Sequence, residues 1–223
     1  LRTVTNGDVR LEATPGQWEQ IGSFVTRRVD PEAGVIEADL SYADYGFDYT
    51  IRVERDADGY LISVNSDTPL PAAFEGKAGF NLEFVPSVYG GKGLLVDGAA
   101  RVIPYTPVSD MKARDGGPRP DGASADPMPI AEGLSLVLAP GDAANRVSIT
   151  SPDVPVALYD GRNQASNGWY VARSLLPAGK TGRLLEWRLK ASSTEGWQSR
   201  PVISFNQLGY TPDRSKTAIV QLD

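Results

Sequence analysis

The chain has 223 residues, 28 Asp and Glu against 22 Lys and Arg, a formal charge of −6, and neither Cys nor His. Missing Cys excludes disulfides, thiol nucleophiles and Cys-based metal sites, and missing His excludes Ser-His-Asp and Cys-His catalysis, leaving carboxylate chemistry open and no cofactor expected. The acidic balance argues against nucleic acid and a polybasic membrane anchor, and no apolar run approaches the ~20 residues of a membrane span. Length allows one large domain or two small ones. The chain opens at Leu1 without Met or a leader, as expected of a processed or excised polypeptide.

Period-two alternation, broken by Gly, Pro, Asn and Asp, dominates the pattern. Residues 9–13, 21–29 and 34–42 read as the first strands. Ile36, Ala38, Leu40 and Tyr42 place apolar groups on even positions, whereas Tyr45, Phe47, Tyr49, Ile51 and Val53 place them on odd ones. That parity change predicts a β-bulge or bend near Ala43–Asp44. Asp56, Ala57, Asp58 and Gly59 read as a hairpin turn with a left-handed Gly59, not as a calcium loop, which needs further ligands. Strands follow at 60–65, 79–85, 94–96, 134–138, 146–150, 155–159, 169–175 and 183–191. In the last of these, Leu185, Trp187 and Leu189 alternate with Glu186, Arg188 and Lys190. Between them, residues 107–130 hold five Pro, three Gly and four Asp, too few large apolar groups to offset the entropy of ordering. This stretch is a linker or a long insertion within one sandwich; similar strands on both sides favour the insertion. The pattern predicts an all-β protein: one large antiparallel β-sandwich over residues 1–198, then short strands at 202–205 and 216–222.

The C-terminal stretch carries Asn206-Gln207, Gly209-Tyr210, Pro212 and Lys216 ahead of an apolar strand. It resembles the opening of the immunoglobulin-like domain that precedes the catalytic barrel in glycoside hydrolase family 9. Residues 78–84, 157–161, 167–170 and 174–182 resemble an extra N-terminal β-domain of some bacterial members. The resemblance implies that residues 199–223 are a truncated start of the immunoglobulin-like domain. It also implies a secreted or periplasmic β-glucan-degrading parent, with this chain as its non-catalytic front end. The family's Asp-Ala-Gly-Asp motif is absent, so no catalytic residue carries over.

A sugar-binding surface needs exposed aromatic rings flanked by amides and carboxylates. Trp169 and Tyr170, after a loop offering Asn163, Gln164 and Asn167, form the preferred candidate. Adjacent strand residues face opposite sides, so one of the two rings is expected to be buried; the alternative is that the loop is an ordinary turn and Trp169 caps the core. Tyr45, Phe47 and Tyr49 read as core. Trp197 lies at the joint between domains, as an interdomain packing residue, and Trp18 in an early loop. Tyr89 precedes Gly90-Gly91-Lys92-Gly93, which lacks the context of a phosphate loop. Asp44 and Asp48 are too far apart along a strand for a glycosidase pair, at roughly 13 Å. Nothing in sequence brings Glu83 and Glu186 together. The expected partners are a β-glucan or related polysaccharide and the catalytic domain of the same polypeptide. The alternative roles are a structural module packed on that domain and a free-standing polysaccharide-active sandwich enzyme.

Overall fold

A computed structural model describes residues 4–13, 21–107, 110–113, 125–163, 168–192, 202–206 and 208–221. The protein is all-β, with antiparallel sheets, and divides into two compact units, Leu1–Ser192 and Ser193–Asp223. In the first unit the strands are β1 (Val4–Arg10), β2 (Ser23–Asp30), β3 (Val35–Tyr42), β4 (Phe47–Asp56), β5 (Gly59–Ser66), β6 (Gly79–Phe84), β7 (Gly93–Val96) and β8 (Ala99–Val102). They continue as β9 (Met111–Ala113), β10 (Ala125–Pro127), β11 (Ala131–Gly133), β12 (Ser135–Leu138), β13 (Val147–Thr150), β14 (Val156–Asp160), β15 (Tyr170–Leu175) and β16 (Gly182–Ala191). One sheet has the order β1-β6-β15-β14-β11, and the other β2-β3-β4-β5-β16-β13-β12-β7-β8.

The two sheets are joined by one core, to which strands such as β5 and β12 contribute alternate side chains. At its centre Trp187 of β16 meets Phe80 of β6 edge-on, ring centres 5.0 Å apart. The Trp187 indole N–H donates to the Ser174 hydroxyl of β15 at 2.9 Å, and that hydroxyl donates to the Pro155 carbonyl at 2.7 Å. The indole N–H and the Ser174 hydroxyl that the core encloses are thereby both paired. Near one edge Tyr42 donates to the Val9 carbonyl at 2.7 Å, and Tyr49 donates to an Asp8 carboxylate oxygen at 2.8 Å. These bonds clasp β1 of the small sheet to β3 and β4 of the large one.

Of the bulge or bend expected near Ala43–Asp44, the structure has the bend, as a chain reversal between two strands. A 3₁₀ turn over Ala43–Tyr45 and a left-handed Gly46 (φ 60°) join β3 to β4, with Tyr42 opposite Phe47. Phe47 and Tyr49 are buried as expected, but Tyr45 lies in the turn, exposed, edge-on to Phe74 at 4.6 Å. The hairpin at Asp56–Gly59 forms as read, yet Gly59 is not left-handed. A Cβ there would collide with the Leu189 carbonyl oxygen, so close backbone approach requires the glycine. Two successive left-handed residues, Asp97 and Gly98 (φ 48° and 83°), make the hairpin turn that joins β7 to β8. β2 shifts register between Phe24 and Thr26, which leaves Val25 as an extra residue on the sheet's edge.

Strand β8, before residues 107–130, and strand β12, after them, both pair with β7. Within that stretch β9 and β10 pair as a two-stranded ribbon. The second unit pairs β17 (Val202–Phe205) with β18 (Ala218–Gln221). The motif residues between them bond to one another. Asn206 donates to the Gly209 carbonyl and accepts from the Leu208 N–H, both at 2.9 Å, and Tyr210 donates to the Thr217 carbonyl at 2.9 Å. Lys216 donates to the Pro212 carbonyl at 2.8 Å.

Candidate functional site

Beside the residues expected to contact sugar around Trp169, Asp160 and Arg162 form a latch that encloses Tyr170. Asp160 has a fully buried side chain and holds the Arg162 guanidinium in two bonds of 2.8 Å. Arg162 also donates to the Pro104 and Tyr105 carbonyls at 3.0 and 2.7 Å and lies 4.7 Å from the centre of the Tyr170 ring. Tyr170 is 0% exposed and donates to the Pro104 carbonyl. It is a core residue and offers no stacking face, which corrects its assignment as a sugar contact; burial also raises its phenol pKa. Trp169 is half-buried, and its carbonyl accepts from the Gly161 N–H at 2.8 Å. Asn163 turns its amide back to the Asp160 carbonyl, at 3.4 Å. Gln164, Asn167, Trp18 and Trp197 lie outside the described residues. Tyr89 is buried and donates to the Asn145 carbonyl at 2.9 Å, a packing role.

A concavity lies on the outward face of the large sheet. Strand register stacks polar residues there in transverse rows. Thr26, Asp39, Thr50, Asn65 and Arg183 stand side by side on five consecutive strands. Arg28, Glu37, Arg52, Ser63 and Glu186 form the next row. With strands about 4.8 Å apart, each row spans roughly 19 Å. A groove of about 630 Å³ runs over this face, lined by Arg28, Asp39, Asp48, Thr50, Asn65 and Asp67 among others. A shallower hollow of about 260 Å³, lined by Arg52, Ser63 and Glu186, shares Asn65 with it.

The groove's wall is fixed by ion pairs. Arg28 grips Asp39 through two bonds of 2.5 and 3.0 Å and reaches Glu37 at 3.2 Å; Arg52 bonds Glu37 at 2.6 Å and Glu54 at 3.2 Å. Thr50 donates to Asp39 at 2.7 Å. The Arg28 guanidinium and the Thr50 hydroxyl therefore hold the Asp39 carboxyl below its usual range, and Arg52 and then Arg28 do the same for Glu37. The Ser66 hydroxyl ties the far rim, donating to the Asp48 carbonyl at 2.7 Å and the Thr68 carbonyl at 2.8 Å. What remains is a rigid trough of hydroxyls, amides and carboxylates. It can accept hydrogen bonds from a ligand's hydroxyl groups along its whole length.

Asp44 and Asp48 do not share a strand, since Asp44 sits in the turn before β4. Glu83 of β6 and Glu186 of β16 point outward from different sheets, on opposite faces of the sandwich. Among the described residues, no three acidic side chains cluster to hold a metal ion. No helix among them is long and apolar enough to cross a membrane. No protein-family model, curated protein or solved structure matches the chain.

Proposed function

We propose that this chain is a non-catalytic accessory module of a secreted β-glucan-degrading glycoside hydrolase, and that it binds an uncharged glucan along the outward face of its large sheet. The groove over β2–β5 carries the reading. Its lining offers acceptors at Asp48, Asp67 and Asn65 on a floor that ion pairs hold in place. Its transverse rows suit an extended chain lying across the strands. The resemblance of residues 203–220 to the opening of the family 9 immunoglobulin-like domain supplies the biological setting. Hydrogen bonding takes the place of the aromatic stacking expected from the sequence.

Affinity electrophoresis in gels holding soluble β-glucans tests the reading. The expected result is retardation by at least one glucan, and weakening by about thirtyfold on Asn65→Ala with Asp48→Ala, from roughly 1 kcal/mol for each of the two lost hydrogen bonds. Folded protein that no glucan retards would overturn it.

A second reading, a structural module that packs on the catalytic domain of the same polypeptide, rests on β2. Phe24, Val25 and Val29 are all exposed there, beside an exposed Ile36 on β3. Deleting residues 1–198 from a full-length enzyme tests it. Unchanged barrel stability and unchanged activity on soluble substrate would dismiss it.

A further inference from the structure

The small sheet carries a separate hollow on its own outward face. The ribbon β9–β10 forms one wall, and β11 and β14 form the other. Its main chamber is about 450 Å³, and a side chamber of about 190 Å³ adjoins it. Glu132 and Tyr159 line both. Protein interiors leave few voids larger than a water molecule.

The charges here run against the rest of the molecule. Lys77, Lys112 and Arg173 line the two chambers against two carboxylates, Asp126 and Glu132, in a chain whose net charge is −6. The groove on the other sheet has the opposite balance, with Arg28 against Asp39, Asp48 and Asp67. Arg173 is 2% exposed and is locked in place, donating to the Glu12 and Lys77 carbonyls. It lies over Gly79, where a Cβ would stand 2.7 Å from its Nε. The phenol of Tyr159 is half-buried and lies within the fields of Arg173, Glu132 and Asp126. Burial is the main cause that raises its pKa, so it stays a hydrogen-bond donor at neutral pH. Pro127, Met128, Val154 and Leu175 supply apolar surface between the polar groups.

We propose that this cleft binds a carboxylate-bearing sugar, a hexuronate unit of an acidic glycan. The carboxylate lies toward Lys112 and Lys77 at the exposed rim, with the fixed Arg173 charge behind it. Ring hydroxyls donate to Glu132 and accept from Tyr159. The apolar residues take the C–H face of the ring. This site is independent of the glucan groove and uses none of its residues.

The test is calorimetric titration of the whole 223-residue chain with trigalacturonate, trimannuronate and cellotriose at low and high salt. A uronate trimer is expected to bind, with affinity that falls as salt rises. Lys77→Ala with Lys112→Ala should weaken it about tenfold, and because both side chains are exposed the fold should be retained. Glu132→Gln keeps an acceptor oxygen but removes a like charge, so it should tighten uronate binding by about twofold to threefold. A residue with a merely structural role would not move affinity upward. The proposal is overturned if no uronate trimer binds, if cellotriose displaces the uronate at equal concentration, or if Glu132→Gln fails to tighten binding. Unchanged thermal midpoints in both variants are the folding control.

Discussion

Removing one hydroxyl group tests the clasp between the sheets. Tyr49 is 3% exposed, and its hydroxyl donates to Asp8, itself 8% exposed, at 2.8 Å. Tyr49→Phe keeps the ring stacked against Phe47 and Tyr42, whose centres lie 5.6 and 5.8 Å away. The bond across the sandwich is lost, together with the hydroxyl's bond to Tyr42. The Asp8 carboxylate then retains the Val9 N–H at 2.7 Å but has lost a donor in a site that water reaches poorly. A hydrogen bond to a charged group contributes about 1.5–3 kcal/mol. In a unit of this size each kcal/mol moves the thermal midpoint by about 2–4 °C, so the expected fall is roughly 3–12 °C. Urea unfolding followed by tryptophan fluorescence measures it, since Trp187 is fully buried in the same core. A loss below about 0.5 kcal/mol would refute the reasoning. So would a double-mutant cycle with Asp8→Ala that gave a coupling below about 0.5 kcal/mol.

Two further predictions concern buried charge. Burial raises the Asp8 carboxyl above its usual range, outweighing the Tyr49 and Val9 hydrogen bonds that lower it. The folded state therefore favours the protonated form; this contribution is full below the unfolded pKa and is lost as pH rises through the folded one. The stability of the natural chain relative to Asp8→Asn should rise as pH falls from 7 toward about 4, and a difference that stays flat across that range in urea titrations would contradict it. Arg162→Ala would strand the fully buried Asp160 carboxylate and should cost about 3–5 kcal/mol by the same unfolding assay, whereas an effect under 1 kcal/mol would rule out the latch described above.

The sandwich was legible in the sequence because its strands are half-buried and alternate, as in Leu185, Trp187 and Leu189 on β16. The elements that escaped are short. β8 to β11 are three or four residues each, and Ala99-Ala100-Arg101-Val102 has no alternation to detect, although Asp97-Gly98 before it was a hairpin signal. The groove was hidden for a different reason. Asp39, Thr50 and Asn65 each occupy an outward position that alternation correctly marks as polar. Only strand register sets them side by side, and register is a long-range property. Of the two adjacent rings, of which one was expected to be buried, that one is Tyr170, and sequence could not choose it because it has the composition of a binding residue and the burial of a core one. Its neighbour Arg162, which caps the ring, gives no sign of that role in its spacing.

The extra residue at Val25 matters for how the protein behaves at high concentration. A sheet of nine strands must end somewhere, and each end offers unpaired backbone groups to any other strand that arrives. Here one end is β8, only four residues long. The other end is β2, which is eight residues long and fully exposed. An incoming strand that paired with Thr26–Asp30 would fall out of step at Val25, and it would meet Arg27, Arg28 and Asp30 along the way. The irregularity thus guards the longer edge of the nine-stranded sheet against fibre-like stacking. A variant that straightened this edge by deleting Val25 would keep the sandwich core intact and lose that protection.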